Sequence, residues 1–111
     1  MAETVHKRDF RPPQKPSPLE RSITAGILKW LNSQPECYAV KTRGDQRQQG
    51  QPDILGCIGG RTIAFEVKRP GKGPTVLQKV ILGKWRRAGA IAGVVHSLDE
   101  AKELLRSDGD G

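Results

Sequence analysis

The chain has 111 residues and a mass of 12.2 kDa, with 35% hydrophobic and 28% charged residues, so it has the size of one domain and a second hydrophobic core is excluded. Nineteen lysines and arginines against twelve acidic residues give a formal net charge of +7, which favours a polyanionic partner. No apolar run approaches the ~20 residues of a membrane span and no signal peptide is visible, so we expect a cytoplasmic protein without membrane contacts. Cys37 and Cys57 are too few for a zinc cage, and we expect buried, reduced thiols.

The two ends of the sequence differ in composition from its middle. Residues 1–16 combine basic residues and prolines with hardly any apolar side chains. They bury too little surface to offset their ordering entropy, so we expect a flexible arm that either touches nucleic acid through its charge or is inert. Residues 17–106 carry the patterns of a folded domain, and residues 107–111 are expected to be a disordered tail.

A first helix is predicted from residue 18 to about residue 33. Ser17 and Pro18 are followed by Glu20, a pattern that combines an N-cap, a proline at the first helical position and the acid of a capping box. Apolar residues then recur at helical spacing and define a stripe that faces the core. Glu20 falls within the same arc, so it either caps the helix or belongs to a site that the helix faces.

Three strands are predicted next. Residues 36–42 form the first, and the polar residues 43–51 after it form an exposed loop. Residues 52–58 and 61–68 are two β-rich runs separated by Gly59-Gly60. A pair of glycines is typical of a two-residue hairpin turn, because such turns require positive φ angles.

A second helix and a fourth strand follow a break at residues 70–74, which are rich in proline and glycine. Thr75 and Gln78 have capping-box spacing, so the helix is predicted to begin there and to end near Gly89. Its predicted core-facing stripe consists of Leu77, Val80, Ile81, Trp85 and Ala88. A short apolar strand over residues 90–96 precedes a final helix. The order αβββαβα implies an α/β fold with helices packed on a mixed central sheet, because parallel strands are joined through crossovers.

The hairpin brings two acidic residues together. With a two-residue turn at Gly59-Gly60, Asp53 lies opposite Glu66, with Cβ atoms about 4.5–5.5 Å apart. Strand alternation also puts Lys68 on the same face as Glu66. Like charges in direct opposition are destabilising, so this pair requires compensation.

Three interpretations fit this cluster. The first is a solvated strand face on which Lys68 and nearby cations balance the two acids. The second is an acid–base dyad in which the carboxylates share a proton, although it leaves the basic surface around the pair unexplained. The third is a site for a hard divalent cation, since carboxylate and carbonyl oxygens suit Mg²⁺ or Mn²⁺ and the ion would attract a phosphate.

The sequence from Pro52-Asp53 over an interval of twelve residues to Glu66-Val67-Lys68 resembles the PD-(D/E)xK motif of restriction-endonuclease-like nucleases. The upstream helix with Glu20, the glycine hairpin, and Gln78 at the start of the next helix strengthen the resemblance. Over residues 17–106 the chain resembles the VRR-NUC branch of that superfamily, including its small stand-alone phage and bacterial members. The resemblance implies a restriction-endonuclease-like fold and a protein of a bacterial or phage-infected cell.

The resemblance also implies roles for individual residues. Asp53 and Glu66 would bind Mg²⁺ or Mn²⁺ with help from the Val67 backbone carbonyl. Lys68 would orient or activate the attacking water, or stabilise charge on the phosphate. Gln78 would position Lys68 or the water, and its capping-box spacing is an alternative, structural reason for its presence. The implied catalytic residues are Glu20, which would complete the acidic cluster, Asp53, Glu66, Lys68 and Gln78.

The implied activity is that of a metal-dependent DNA endonuclease that hydrolyses phosphodiester bonds, acts on branched DNA such as Holliday junctions, and works as a homodimer. Residues 68–87 include seven basic residues and no acidic one, which predicts a surface that faces phosphates, with a solvated basic helix as the alternative. The expected DNA contacts are Lys41, Arg43, Arg47, Arg69, Lys72 and Lys79. Two other functions fit the charge pattern: a nucleic-acid-binding module without catalysis, and a protein-interaction or regulatory module.

Overall fold

Three helices and one mixed sheet make up the fold, which is that of a computed structural model describing residues 17–42 and 49–109. The elements are α1 (Pro18–Asn32), β1 (Cys37–Lys41), β2 (Ile54–Ile58), β3 (Arg61–Val67), α2 (Val76–Arg87), β4 (Ile91–Val95) and α3 (Leu98–Gly109). The strands lie in the order β1-β2-β3-β4, and only β3 and β4 are parallel. The predicted α/β order is confirmed.

Some of the sequence-based expectations concern segments outside the described residues. These segments are the basic arm predicted over residues 1–16 and most of the polar loop that follows β1. Among the residues that are described, no helix combines the length and the apolar character needed to cross a membrane.

Both predicted N-caps are present. The Ser17 Oγ accepts a hydrogen bond from the backbone N–H of Glu20 at 3.1 Å, and Pro18 is the first residue of α1. At α2, Thr75 Oγ1 accepts from the Gln78 N–H at 3.1 Å, and Gln78 Oε1 accepts from the Thr75 N–H at 2.9 Å. The capping box is therefore complete, and local sequence sets where α1 and α2 begin.

The glycine hairpin has the predicted register. Ile58 pairs with Arg61 across the turn, and Gly59 and Gly60 have φ angles of 57° and 83°, the left-handed values that a primed two-residue turn requires. β3 leaves this turn and runs between β2 and β4. Its residues 63–67 are all buried, so the second half of this strand forms the centre of the molecule.

The two faces of the sheet are covered to different extents. α1 and α3 pack on one face, where the main core includes the fully buried side chains of Phe65, Ile27 and Leu31. α2 packs on the other face against β3 and β4. The small core beneath it consists of Leu82, Ala64, Ala90 and Ala92.

The predicted core-facing stripe of α2 is wrong in part. Leu77 and Val80 are 45% and 48% exposed, whereas Leu82, outside the predicted stripe, is buried. The reason is a long-range contact: Gln78, one turn before Leu82, donates from Nε2 to the Glu66 carboxylate at 3.0 Å and turns that side of α2 towards the sheet. The other stripe residues are partly buried (Ile81 and Trp85) or exposed (Ala88).

The expectation of two buried thiols is also wrong, because Cys57 is exposed and Cys37 is half-buried. Cys57 pairs with Tyr38, the residue after Cys37, so the two cysteines point to opposite faces of the sheet. Cys57 shares a face with Tyr38 on the β1–β2 half of the sheet, where Tyr38 is 73% exposed. Both cysteines are free thiols, as expected.

The C-terminal helix is longer than predicted. α3 continues to Gly109, so residues 107–109, expected as part of a disordered tail, are helical. Arg61 at the start of β3 holds this end of α3: its guanidinium donates to the Asp108 backbone carbonyl at 3.4 Å and lies 3.8 Å from the Asp108 carboxylate. Local sequence patterns cannot predict a contact between residues so far apart in the chain.

Gly56 marks a close approach between β1 and β2. A Cβ atom at this position would lie 2.6 Å from the Ala39 Cα and closer still to the Tyr38 carbonyl oxygen. We therefore expect Gly56→Ala to destabilise the fold by about 2 kcal/mol or more, measured as a lower midpoint of thermal unfolding by circular dichroism.

The matched control is Gly26→Ala in α1. A Cβ there meets no atom within 4 Å, and alanine favours helix over glycine, so this variant should gain up to about 1 kcal/mol of stability. An unchanged unfolding midpoint for Gly56→Ala would contradict the close packing of β1 on β2.

Candidate active site

Asp53 is held at the open end of the hairpin, directly before β2. Thr42 fixes this point, because its N–H donates to the Asp53 carbonyl at 2.8 Å and its Oγ1 donates to the Pro52 carbonyl at 2.7 Å. Asp53 Oδ2 accepts from the Val67 N–H at 2.8 Å. The side chain of Asp53 is therefore bound to the end of β3, beside Glu66.

Glu66 is the buried carboxylate of the site and is only 2% exposed. Its Oε2 accepts from Gln78 Nε2 at 3.0 Å and lies 3.9 Å from the Lys68 ammonium. Its Oε1 is buried and has no hydrogen-bond partner among the residues that the structure describes. Leaving a buried charged oxygen unpaired is costly, so a proton or a cation at Glu66 stabilises this arrangement.

Asp53 and Glu66 form an acid pair in which the two carboxylates, when both are charged, repel each other. Burial, followed by charge repulsion from Asp53, raises the pKa of Glu66 from 4.5 to about 9, and the nearby Lys68 ammonium offsets part of the rise. Without a cation, the pair therefore holds a proton at neutral pH.

The donor chemistry of the pair fits a hard divalent cation. Within residues 17–42 and 49–109, no three His, Cys, Asp or Glu side chains are grouped so as to hold a metal ion, and the side-chain donors of the site are thus two carboxylates. Mg²⁺ is typically bound by one or two carboxylates and keeps several of its waters. The unpartnered Oε1 of Glu66, next to Asp53, is an oxygen that such an ion would neutralise.

Gln78 makes the capping-box contact that the sequence predicts and also a contact within the site. Its Oε1 completes the capping box with Thr75, while its Nε2 donates to Glu66. Its partner in the site is thus the carboxylate, whereas the family resemblance implied Lys68 or a water molecule. Gln78 links the start of α2 to the orientation of Glu66.

Glu20 lies at the edge of the site. Its Oε2 accepts from the Arg69 N–H at 3.1 Å, which ties α1 to the backbone directly after Lys68. The negative charge of Glu20 adds a small contribution to the raised pKa of Glu66. The structure therefore brings Glu20 near the acid pair, and its visible contact is with the backbone.

The expected DNA contacts within the described residues are all exposed and adjoin the acid pair along the chain or across the sheet. Lys41 pairs with Ile54, the residue after Asp53. The others are Arg69 and Lys72 in the loop after β3, and Lys79 in the first turn of α2. Arg43 and Arg47 lie outside the described residues.

One contact near the site has no counterpart in the sequence prediction. His96 Nε2 lies 2.8 Å from the Lys72 carbonyl, and Nδ1 lies 2.8 Å from Glu100 Oε1. The hydrogen bond with Glu100 and then that with Lys72 raise the pKa of His96, because both partners accept hydrogen bonds from the protonated ring. The spacing of Ser97 and Glu100 indicates a helix start, but it carries no signal for this anchor on the loop after β3.

The fold and the site together define a class. An aspartate precedes one antiparallel strand, a buried glutamate and a lysine end its partner, and helices cover both faces of the mixed sheet. These features agree with the α/β fold that the motifs predicted.

Comparison with solved structures specifies the fold further. A chain described as "VRR_NUC domain" matches with a TM-score of 0.68 and 21% identity, over 81% of this chain and 97% of that one. A second, described as "VRR_NUC domain protein", matches with a TM-score of 0.63 and 17% identity, over 78% of this chain and 84% of that one. No protein-family model and no curated protein matches the sequence. The chain has the fold of VRR_NUC domains, which confirms at the level of the fold the resemblance seen in its motifs.

Proposed function

We propose that this protein is a nuclease that hydrolyses phosphodiester bonds in DNA and requires Mg²⁺ or Mn²⁺. The observation that carries the proposal is the buried carboxylate of Glu66, which has one unpartnered oxygen and faces Asp53. Exposed lysines and arginines around this pair supply the attraction for a polyanion. A merely structural acid pair explains neither the cost of burying Glu66 nor the positive charge around it.

Asp53 and Glu66 would hold the cation together with the Val67 carbonyl, and the bound ion would supply Lewis-acid polarisation of the phosphate and a more acidic water. Gln78 holds the Glu66 carboxylate in place. Lys68, whose ammonium lies 3.9 Å from Glu66 Oε2, would stabilise negative charge on the phosphate or orient the water. Glu20 positions the backbone that follows Lys68 through its bond to Arg69.

The finer part of the proposal concerns the substrate. The small stand-alone proteins that the sequence resembles are associated with branched DNA, and we extend that preference to this chain. A four-way junction has approximate two-fold symmetry, so a two-fold homodimer would bring one acid pair to each of two strands. Both the branched substrate and the dimer are thus parts of this proposal.

The test is to incubate the purified full-length chain with labelled linear duplex, flap and four-way junction DNA, with Mg²⁺, with Mn²⁺ or with a chelator. We expect metal-dependent cutting that is strongest on the branched substrates. Binding without cutting under all conditions would indicate the non-catalytic binding module. Cutting that persists in the chelator would show that the reaction does not require the cation.

A further inference from the structure

An apolar patch is exposed on the first half of α2, the helix whose Gln78 contacts Glu66. The patch consists of Val76, Leu77 and Val80, which are 77%, 45% and 48% exposed. Gln78 stands within the same turn of the helix and contacts Glu66. The two valines lie on the side of the helix opposite Gln78, so the α2 apolar patch faces away from the sheet, at the end of α2 that contacts the acid pair.

Neither packing nor helix propensity accounts for these residues. The side of α2 that meets the sheet carries Gln78 and Leu82. Leu77 rests against the backbone of Gly50, where an added Cβ would lie 2.7 Å from the Leu77 Cγ, but the two valines stay in solvent. Valine is a weaker helix former than alanine or leucine, so the exposed valines stabilise the isolated helix little and require another explanation.

The charge around the patch indicates its partner. Lys72, Lys79 and Lys84 are exposed near it, and no acidic residue occurs between Glu66 and Asp99 in the sequence. A second copy placed with its α2 on this α2 would bring lysines against the same lysines, which is unfavourable. A partner with negative charge and apolar surfaces suits the patch, and nucleic acid with unpaired bases has both.

We propose that the α2 apolar patch contacts the exposed bases of a DNA substrate, so that the protein prefers DNA with unpaired or unstacked bases to intact duplex. Intact duplex hides its base faces, whereas a branch point or loop presents them to apolar side chains. This inference rests on the proposed function for its DNA partner, and adds the feature of the DNA that is recognised and the residues that recognise it.

The test measures binding in a chelator, where no cutting takes place. The probes are a labelled linear duplex and the same duplex with an internal unpaired loop that contains 2-aminopurine. We expect the double variant Val76→Gln with Val80→Gln to lose about three- to tenfold in affinity for the looped probe, to bind the duplex as wild type does, and to give a smaller change in 2-aminopurine fluorescence.

Tyr38→Gln on β1 is the matched control, because Tyr38 is also apolar and 73% exposed, and it should behave as wild type. An equal loss on both probes, or no loss on the looped probe, would overturn the proposal. So would a wild-type chain that sediments as a dimer with a double variant that sediments as a monomer, because the patch would then join two copies. Since binding is measured without a divalent ion, a failure of the nuclease proposal is seen separately, in the cutting assay.

Discussion

Glu66→Gln is expected to reduce DNA cutting by about a thousandfold or more, with DNA affinity close to wild type. Glutamine keeps the shape of the protonated carboxyl group and an oxygen that can accept from Gln78 Nε2. It removes the negative charge that a divalent cation requires. Because the metal-free site already favours a neutral group at Glu66, the unfolding midpoint without metal should not fall. Cleavage rate, DNA affinity and thermal unfolding measure the three outcomes.

Two further variants sharpen this result. Asp53→Asn retains an oxygen for the Val67 N–H and should lose cutting in the same way. Glu103→Gln changes formal charge equally at an exposed ion pair with Arg106 on α3 and should cut as wild type does. If Glu66→Gln cuts at the wild-type rate, or if Glu103→Gln loses as much, the acid pair is not the catalytic centre.

At a cation concentration ten times the dissociation constant measured at neutral pH, Mg²⁺ or Mn²⁺ is expected to stabilise the protein by about 5–10 °C, and the same concentration should stabilise it more as the pH rises. The pKa of Glu66 in the folded chain, about 9, lies above its ordinary value of 4.5. Between these values the folded chain binds more protons than the unfolded chain, so metal-free stability falls as the pH rises towards 9. A cation must displace this proton, and its affinity therefore increases over the same range.

Thermal unfolding at about pH 6 and about pH 8.5, with and without the cation, measures this linkage. Calorimetric titration in two buffers of different ionisation enthalpy should show that metal binding releases a proton. Glu66→Gln should show neither the proton release nor the pH-dependent gain in stability. An equal metal-induced shift in Glu66→Gln, or one independent of pH, would place the bound ions elsewhere.

Local pattern predicts the hairpin and the helix starts because short-range geometry determines them. Gly59-Gly60 specifies a turn, the turn specifies the register, and the register brings Asp53 to Glu66. Ser17 and Thr75 specify helix starts through bonds that span three residues. These predictions required no knowledge of the rest of the molecule.

The rotation of α2 could not be predicted in this way. Several apolar residues compete for the buried side of this helix, and the choice depends on the bond from Gln78 to Glu66 and on the three alanines beneath Leu82. Local sequence carries no information about such distant partners. The same limit applies to three other long-range hydrogen bonds. They join Glu20 to the Arg69 backbone, His96 to the Lys72 carbonyl and Arg61 to the Asp108 carbonyl.

The double contact of Gln78 couples fraying of the first turn of α2 to loss of the restraint on Glu66. Fraying of the first turn of α2 breaks the bond from the Thr75 N–H to Gln78 Oε1, and the same movement withdraws the amide that restrains Glu66. Gln78 therefore restrains the Glu66 carboxylate only while the first turn of α2 is formed. A thermal fluctuation at the exposed start of α2 thus changes the hydrogen bonding of Glu66, a deeply buried side chain, directly through one residue.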